Sequence, residues 1–308
     1  MTSSDALLRS RRIGLLCLAV TAVGWGLNWP IIKLLLREWP PLFARGTAGV
    51  VAAIGLATFA AIRRESLTVP LRAFGPLSAA AFVNVFAWMG FSTLAMLWLS
   101  VTEAALLVYT MPIWATLLAW PMLGLRPTLR SVTALGLALG GAGVLLAGPG
   151  LALGAEKLPG VVLALGAAVL FAFGTVAPRS TIPLSPVALT AWQVGLGCLP
   201  MVPLGLLFEK PDLGALSPLG WASLAYMTAV PMGICYLGWF AATKRLPPAT
   251  ASTSMLLVPL VGVISAAPIL GERLGGREGL ALALTLGGVA LAVRKPLNAR
   301  AVSGRVGS

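Results

Sequence analysis

Several polar and aromatic side chains lie inside long apolar runs of this sequence, where an unpaired polar group is costly. Two of them are the asparagines Asn28 and Asn84, and the others carry hydroxyl groups or aromatic rings. Amide and hydroxyl groups can hydrogen-bond the amine and carboxylate of a small molecule, and ring faces attract an ammonium group. This chemistry is reversible binding. The candidate binding residues are Trp25, Asn28, Asn84, Trp88, Tyr109, Tyr236, Trp239, Ser252 and Ser254.

The spacing of these residues places them on common helix faces. Asn84 and Trp88 stand one helical turn apart, and Ser92 follows one turn later. For Asn28 and Asn84, structural hydrogen bonds between helices are an equally good interpretation. For the Ser/Thr group around Ser252 and Ser254, hydrogen bonds to carbonyls of the preceding turn are slightly favoured over substrate contact.

The residue inventory argues against catalysis. The chain has no His, and its aspartates, Asp5 and Asp212, lie outside the apolar runs. An intramembrane aspartyl enzyme, a metal enzyme or a serine hydrolase therefore lacks the groups it needs. The three cysteines lie far apart within apolar runs, and no phosphate-binding Gly-rich loop occurs. We predict no enzymatic activity, no cofactor and no metal site.

The elements that carry the candidate residues are membrane helices. Hydrophobic residues make up 58% of the chain and charged residues 10%, against roughly a quarter charged in soluble domains. Apolar runs of about 20 residues can each cross a hydrocarbon core, and helices satisfy their own backbone there. We predict an all-α integral membrane protein with ten transmembrane helices. Their expected bounds are 13–35, 41–62, 73–97, 102–122, 128–148, 159–179, 186–208, 217–241, 250–269 and 277–294.

An internal repeat organises these helices. Residues 112–141 align with residues 259–288, with 13 of 30 positions identical, whereas biased composition gives a match at roughly one position in ten. The chain is therefore a duplicated unit. Because each unit has an odd number of helices, the second repeat is inverted, as is typical of secondary transporters with a site between the repeats. We expect a first repeat at 13–148 and a second at 159–294 around a central cavity, with tails at 1–12 and 295–308.

The basic residues indicate the orientation. With both termini in the cytoplasm, most of the 22 Lys and Arg residues fall on the cytoplasmic side. No basic stripe or basic domain stands apart from helix ends, so we predict no nucleic-acid partner. The expected partners are the lipid bilayer and a small-molecule substrate, and the expected location is a bacterial inner membrane.

Few charged residues lie in the apolar runs. We expect Arg45 to reach the outer interface by snorkelling, and the cavity to contain no fixed charge. Glu103 opens a helix, where a carboxylate complements the helix dipole. Glu103 and Glu272 are also candidates for proton coupling, although their positions near helix ends favour structural roles.

Prolines and glycines predict bending and packing. Pro30 aligns with Pro178, and Pro112 with Pro259, so corresponding helices of the two repeats share a proline. We interpret these four prolines as hinges for alternating access. In the fifth helix, residues 136 and 140 form a small-residue pair that allows close helix packing. The chain is expected to be a monomer or an oligomer that associates through the fifth and tenth helices.

The sequence resembles the EamA family of the drug/metabolite transporter superfamily. The resemblance covers residues 13–294 and is carried by GWGLNWPIIK at 24–33, Arg45, AALLVYTMPIWATLLAWPMLG at 104–124 and SMLLVPLVGVISAAPILGERL at 254–274. The Gly271-Glu272 pair belongs to this pattern, whereas Leu125 stands where the first repeat could carry a second Glu. This departure weakens the case for Glu272 as an essential proton carrier.

The resemblance is nearest to YddG-type exporters. It implies export of aromatic and other neutral amino acids, and of some drug-like cations, with broad specificity. Two alternatives remain open. One is export of drug-like cations or another small metabolite, and the other is a non-transporting membrane scaffold.

Overall fold

A computed structural model describes residues 3–126, 128–146, 155–177, 182–246 and 254–293. Within these ranges the chain is helical, with no strand. The helices, numbered in chain order, are α1 (Ser3–Leu35), α2 (Pro41–Ile62), α3 (Leu71–Ala95), α4 (Val101–Leu123), α5 (Leu129–Leu146), α6 (Leu158–Val176), α7 (Pro186–Glu209), α8 (Pro218–Thr243), α9 (Leu257–Leu270) and α10 (Gly276–Val293).

Seven helical segments in the described part of the chain are long and apolar enough to cross a membrane. They correspond to α1–α4 and α6–α8. Two shorter apolar stretches, Val132–Gly141 and Leu257–Leu270, lie in α5 and α9. The prediction of an all-helical membrane protein is confirmed at this level.

Most helix bounds fall close to the predicted ones, with two differences. The first helix already begins at Ser3, so the residues expected as a polar tail continue α1. The ninth helix begins at Leu257, and residues 247–253, where its start was predicted, lie outside the described ranges. The predicted carboxyl-terminal tail at 295–308 also lies outside them.

Three helices contain π-helical turns that the sequence did not predict. They occur at Phe82–Phe91 in α3, Gly205–Glu209 in α7 and Val230–Ile234 in α8. Pro231 lies in the last of them, where its missing N–H and its ring disturb regular α-helical bonding. Widened turns of this kind are frequent at functional sites.

The helices pack in pairs that repeat between the two halves of the chain. Helix α2 packs on α7, and α5 on α10. Helix α1 contacts α8 and α9, while α6 contacts α3 and α4 in the corresponding way. The contacts of α1 with α8 and α9 and those of α6 with α3 and α4 are thus related by a shift of five helices.

Glycines allow the closest of these approaches. A Cβ on Gly49 of α2 would lie 2.5 Å from Cβ of Cys198 on α7, and one on Gly26 of α1 would lie 2.5 Å from Cβ of Val261 on α9. Such distances are too short for two carbon atoms. Only glycine therefore fits at these crossings without a shift of the backbone.

The packing of α5 on α10 does not use the predicted glycine pair, and a contact of that pair between protein copies remains a prediction. Gly136 and Gly140, the pair expected at a helix contact, have open space beside them. The close contact is made by Gly141, against Ala281 and Thr285, and by Gly288, against Ala134 and Leu137. The contact face is therefore rotated by one residue, about 100° around the helix.

Carboxylates from distant parts of the chain cap the amino termini of three helices. Glu209 accepts hydrogen bonds from the backbone N–H of Leu42 and Phe43 in α2, at 3.0 Å each. Glu38 accepts from the N–H and Oγ of Ser217, the residue before α8. Glu272 does the same for α4. Each carboxylate satisfies N–H groups that have no partner within their own helix and complements the helix dipole.

Candidate functional site

A cavity of about 360 Å³ lies among α1, α2, α3, α4, α6, α8 and α9. Its wall consists of aromatic rings and methionines interrupted by a few polar side chains. This volume falls within the range of about 300–1,000 Å³ that is typical of small-molecule sites.

The cavity brings together seven of the nine candidate binding residues. Ser254 lies in the described part of the chain and is not among the lining residues, and Ser252 lies outside the described ranges. The seven are Trp25, Asn28, Asn84, Trp88, Tyr109, Tyr236 and Trp239. Helical spacing thus identified the residues that face a common space, although their contact with a substrate remains a prediction.

The aromatic rings form two groups. Trp25 lies 5.5 Å from Tyr236 in an edge-to-face arrangement and 6.0 Å from Trp239. Trp88 lies 6.1 Å from Tyr109 and 4.5 Å from Phe171, measured between ring centroids. The rings hold one another in place and present large apolar surfaces, a suitable environment for an aromatic or aliphatic side chain.

The first group is also anchored to the π-helical turn of α8. The indole N–H of Trp25 donates a hydrogen bond of 2.8 Å to the carbonyl oxygen of Pro231. The π-helical turn at Val230–Ile234 thus places a backbone acceptor next to α1. The Trp25 side chain is therefore fixed before any ligand binds.

The two asparagines are incompletely hydrogen-bonded. Oδ1 of Asn28 and Oδ1 of Asn84 are buried, with no hydrogen-bond partner among the described residues. Oδ1 of Asn84 packs against Gly174 of α6, where a side chain would not fit. The structural interpretation, a bond between helices through these oxygens, is therefore not observed for the described residues.

Arg45 corrects the expectation of a cavity without fixed charge. Its side chain lines the cavity and is only 6% exposed, so it does not snorkel to the interface. Its Nε and Nη1 atoms are buried and have no hydrogen-bond partner within the described ranges. The sequence could have indicated a functional role for Arg45, since an Arg inside a membrane helix is by default a candidate functional residue.

Sequence reasoning also missed several lining residues, among them the methionines, Phe171 and Trp29. Trp29 lines the cavity one helical turn after Trp25 and belongs to the GWGLNWPIIK motif. The thioether side chains adapt their shape to different contacts, which suits a site for several substrates. The lining methionines are Met89, Met96, Met111, Met232 and Met255.

The predicted hinge prolines occupy different local settings. Helix α1 continues through Pro30 to Leu35. Pro112 follows an interruption of α4 after Val108, and Pro259 lies near the start of α9. At such starts a proline costs little, because its absent N–H has no partner to lose. Pro178 lies outside the described ranges, and hinge motion remains a prediction.

Glu103 and Glu272 both lie at the amino terminus of α4, and neither lines the cavity. Glu103 forms a capping box with Ser100 and a 2.5 Å ion pair with Lys157. Glu272 accepts hydrogen bonds from the backbone N–H of Val101 and from the N–H and Oγ1 of Thr102. These contacts support structural roles for both carboxylates, and proton coupling remains a hypothesis.

Known proteins resemble the chain along most of its length. A "Probable amino-acid metabolite efflux pump" of Salmonella typhimurium is 29% identical over 290 residues, covering 91% of this chain and 94% of that protein. The "Uncharacterized inner membrane transporter YedA" of Escherichia coli K12 is 28% identical over 277 residues, covering 87% and 86%. The "Uncharacterized transporter YvbV" of Bacillus subtilis is 26% identical over 266 residues, covering 84% of each chain.

A solved crystal structure has the same fold, with a TM-score of 0.64, 19% identity and coverage of 92% of this chain and 97% of that chain. The EamA-like transporter family matches the chain twice, at residues 12–147 and 158–294. These two matches include nearly all of the described helices. The chain therefore belongs to the EamA-like transporter family and is a membrane transporter.

Proposed function

We propose that the protein is a secondary transporter of the bacterial inner membrane that exports amino acids, aromatic and other neutral ones, with broad specificity. Substrates bind in the central cavity, and alternating access exposes it to the two sides of the membrane in turn. The observation that carries this proposal is the cavity itself, in which aromatic rings and methionines surround a few incompletely paired polar groups.

The cavity has parts for both ends of an amino acid. Ring faces and thioethers suit an apolar side chain of variable size. The buried Oδ1 of Asn28 can accept a hydrogen bond from an ammonium group, and ring faces attract the same cation. Affinity from so few contacts is expected between micromolar and millimolar. The name of the Salmonella relative, an amino-acid metabolite efflux pump, agrees with this substrate class.

The proposed mechanism needs two inverted repeats of five helices with cytoplasmic termini. The two separate family matches and the recurring helix pairs support this architecture. The site would lie between the repeats, where rocking of one against the other exposes it alternately. The cavity helices α1 and α8 belong to different halves, as that motion requires.

Of the alternatives, export of drug-like cations is disfavoured by Arg45. Its guanidinium lines the cavity, and no Asp or Glu of the described ranges does. A cation would therefore meet a like charge in a poorly solvated space. A scaffold without transport activity would not need unpaired polar atoms around a central cavity, because each is costly to bury.

Uptake of labelled phenylalanine into proteoliposomes tests the proposal on a variant of the cavity wall. Trp88→Ala removes the ring that packs on Phe171 and Tyr109. We expect uptake to fall several-fold, because the variant loses an aromatic contact between Trp88 and the substrate ring, a contact of about 0.5–1.5 kcal/mol. Trp221→Ala is the matched control, since Trp221 is 56% exposed and lies away from the cavity. Equal uptake by the two variants and the unaltered protein would remove Trp88 from the site.

A further inference from the structure

The charge balance of the central cavity singles out one group. Arg45 is the charged residue among the described lining residues, and it has no carboxylate beside it there. Four of the nine acidic residues have partners outside the cavity: Glu209, Glu38 and Glu272 cap helices, and Glu103 pairs with Lys157. As far as the described residues form its wall, the cavity therefore carries a net positive charge without a carboxylate counterion.

The position of Arg45 keeps its side chain within the protein rather than at the membrane surface. It lies one turn into α2, whose start is covered by the end of α7, where Gly205 approaches Phe43 and Glu209 caps the first N–H groups. Only 6% of the residue is exposed. The Nε and Nη1 atoms also lack an acceptor among the described residues.

A buried, unpaired guanidinium is unfavourable for the folded protein by itself. Its geometry presents parallel N–H donors that match the two oxygens of a carboxylate. The surrounding rings and methionines suit an organic carboxylate with an apolar substituent better than a small inorganic anion such as phosphate, which retains its hydration shell. A substrate carboxylate would satisfy the donors and neutralise the charge.

We propose that Arg45 is the carboxylate-binding residue of the cavity, so that the substrates are organic carboxylates with an apolar side chain and a free carboxylate is required for binding. This inference rests on the proposed function for the identity of the site and names the group that the site recognises. It also predicts which compounds the protein rejects, namely amines and amides of the same size.

Thermal unfolding of the purified full-length protein, followed by tryptophan fluorescence, tests the inference without requiring transport. The probes are phenylalanine, 3-phenylpropionate, which lacks the ammonium group, and phenethylamine, which lacks the carboxylate. The variants are Arg45→Met, Arg45→Lys and, as a control for net charge, Arg37→Met at an exposed position between α1 and α2.

We expect phenylalanine and 3-phenylpropionate to stabilise the unaltered protein and the Arg37→Met variant, whereas phenethylamine does not. Arg45→Met should weaken carboxylate binding about tenfold to a hundredfold, the effect of losing hydrogen bonds to a charged group. Arg45→Lys should bind at an intermediate strength, because it keeps the charge and loses the paired donors. If Arg45→Met does not fold, carboxylate binding by Arg45→Lys tests the inference by itself.

Two results overturn the inference: undiminished carboxylate binding by both Arg45 variants, or stabilisation by phenethylamine equal to that by 3-phenylpropionate. Absence of binding by all three probes overturns it as well. Arg45-dependent binding of 3-phenylpropionate without binding of phenylalanine keeps the inference and rejects amino acids as substrates. The two proposals therefore fail in different ways.

Discussion

Replacement of Glu272 by alanine removes a carboxylate that links distant segments of the chain. Glu272 follows α9, and its carboxylate oxygens accept hydrogen bonds from the first residues of α4, up to 171 residues earlier in the sequence. The carboxylate accepts from Val101 N at 2.7 Å, from Thr102 Oγ1 at 3.1 Å and from Thr102 N at 3.3 Å. The variant leaves the start of α4 without this cap.

The size of the effect follows from these bonds. A hydrogen bond to a charged group contributes about 1.5–3 kcal/mol, and loss of a helix cap costs about 0.5–2 kcal/mol. Two of the three bonds are long, and water can reach the half-buried Glu272 and replace part of what is lost. We therefore expect a decrease of about 2 kcal/mol in the free energy of unfolding, or a fall of about 4 °C in the unfolding temperature.

Thermal unfolding in detergent measures this change at a fixed heating rate, since such unfolding can be irreversible. Glu272→Gln, which keeps one acceptor oxygen, should lose about half as much stability. Glu156→Ala is the control, because Glu156 is exposed in the short turn Ala155–Lys157. It should change the free energy of unfolding by no more than about 0.5 kcal/mol.

The same variants separate a structural role from proton coupling. If Glu272 only caps α4, Glu272→Gln should transport with an unchanged dependence on a pH gradient, once uptake is normalised to folded protein. An unchanged unfolding temperature for Glu272→Ala would refute the capping argument. Loss of gradient dependence in a fully stable Glu272→Gln variant would instead assign coupling to this carboxylate.

Three further predictions concern packing and charge. Gly49→Val should lower the free energy of unfolding by about 1–3 kcal/mol, because the added Cβ would overlap Cys198. Gly55→Val is the control, because Gly55 has open space beside it and its replacement should not cause this loss. Equal unfolding temperatures for the two variants would contradict the packing argument. Arg45→Met should raise the stability of the ligand-free protein by about 1–3 kcal/mol in the same assay, and a comparable loss would mean that Arg45 is paired. Lys157→Gln should lower the free energy of unfolding by less than about 1 kcal/mol, because the Lys157 side chain is 36% exposed and solvent screens its ion pair with Glu103. A larger loss would indicate that the ion pair behaves as a buried one.

The fold was largely predictable because membrane helices follow from the length and apolarity of runs, which are local properties. The seven cavity residues were predictable for a similar reason: residues one turn apart share a helix face, and polar groups avoid lipid. The π-helical turns were not predictable in this way. In the turn Val230–Ile234, Pro231 indicates a disturbed helix but does not specify a π-helical turn.

The position of Arg45 depends on tertiary contacts that sequence spacing does not contain. Five residues from the start of a helix, an arginine ordinarily reaches the interface. Here the end of α7 covers the start of α2 through Gly205 and Glu209, and the side chain remains inside. Similarly, Gly141 rather than Gly140 faces α10 because the rotation of α5 is set by its partner.

Uptake of labelled phenylalanine, threonine and methionine into proteoliposomes that contain only this protein tests the central proposal most directly, with and without a pH gradient. The proposal predicts uptake of more than one of the three, and competition between them, because the cavity combines adaptable apolar walls with a few fixed polar groups. Failure of folded, correctly reconstituted protein to transport any of them under either condition would contradict amino-acid export.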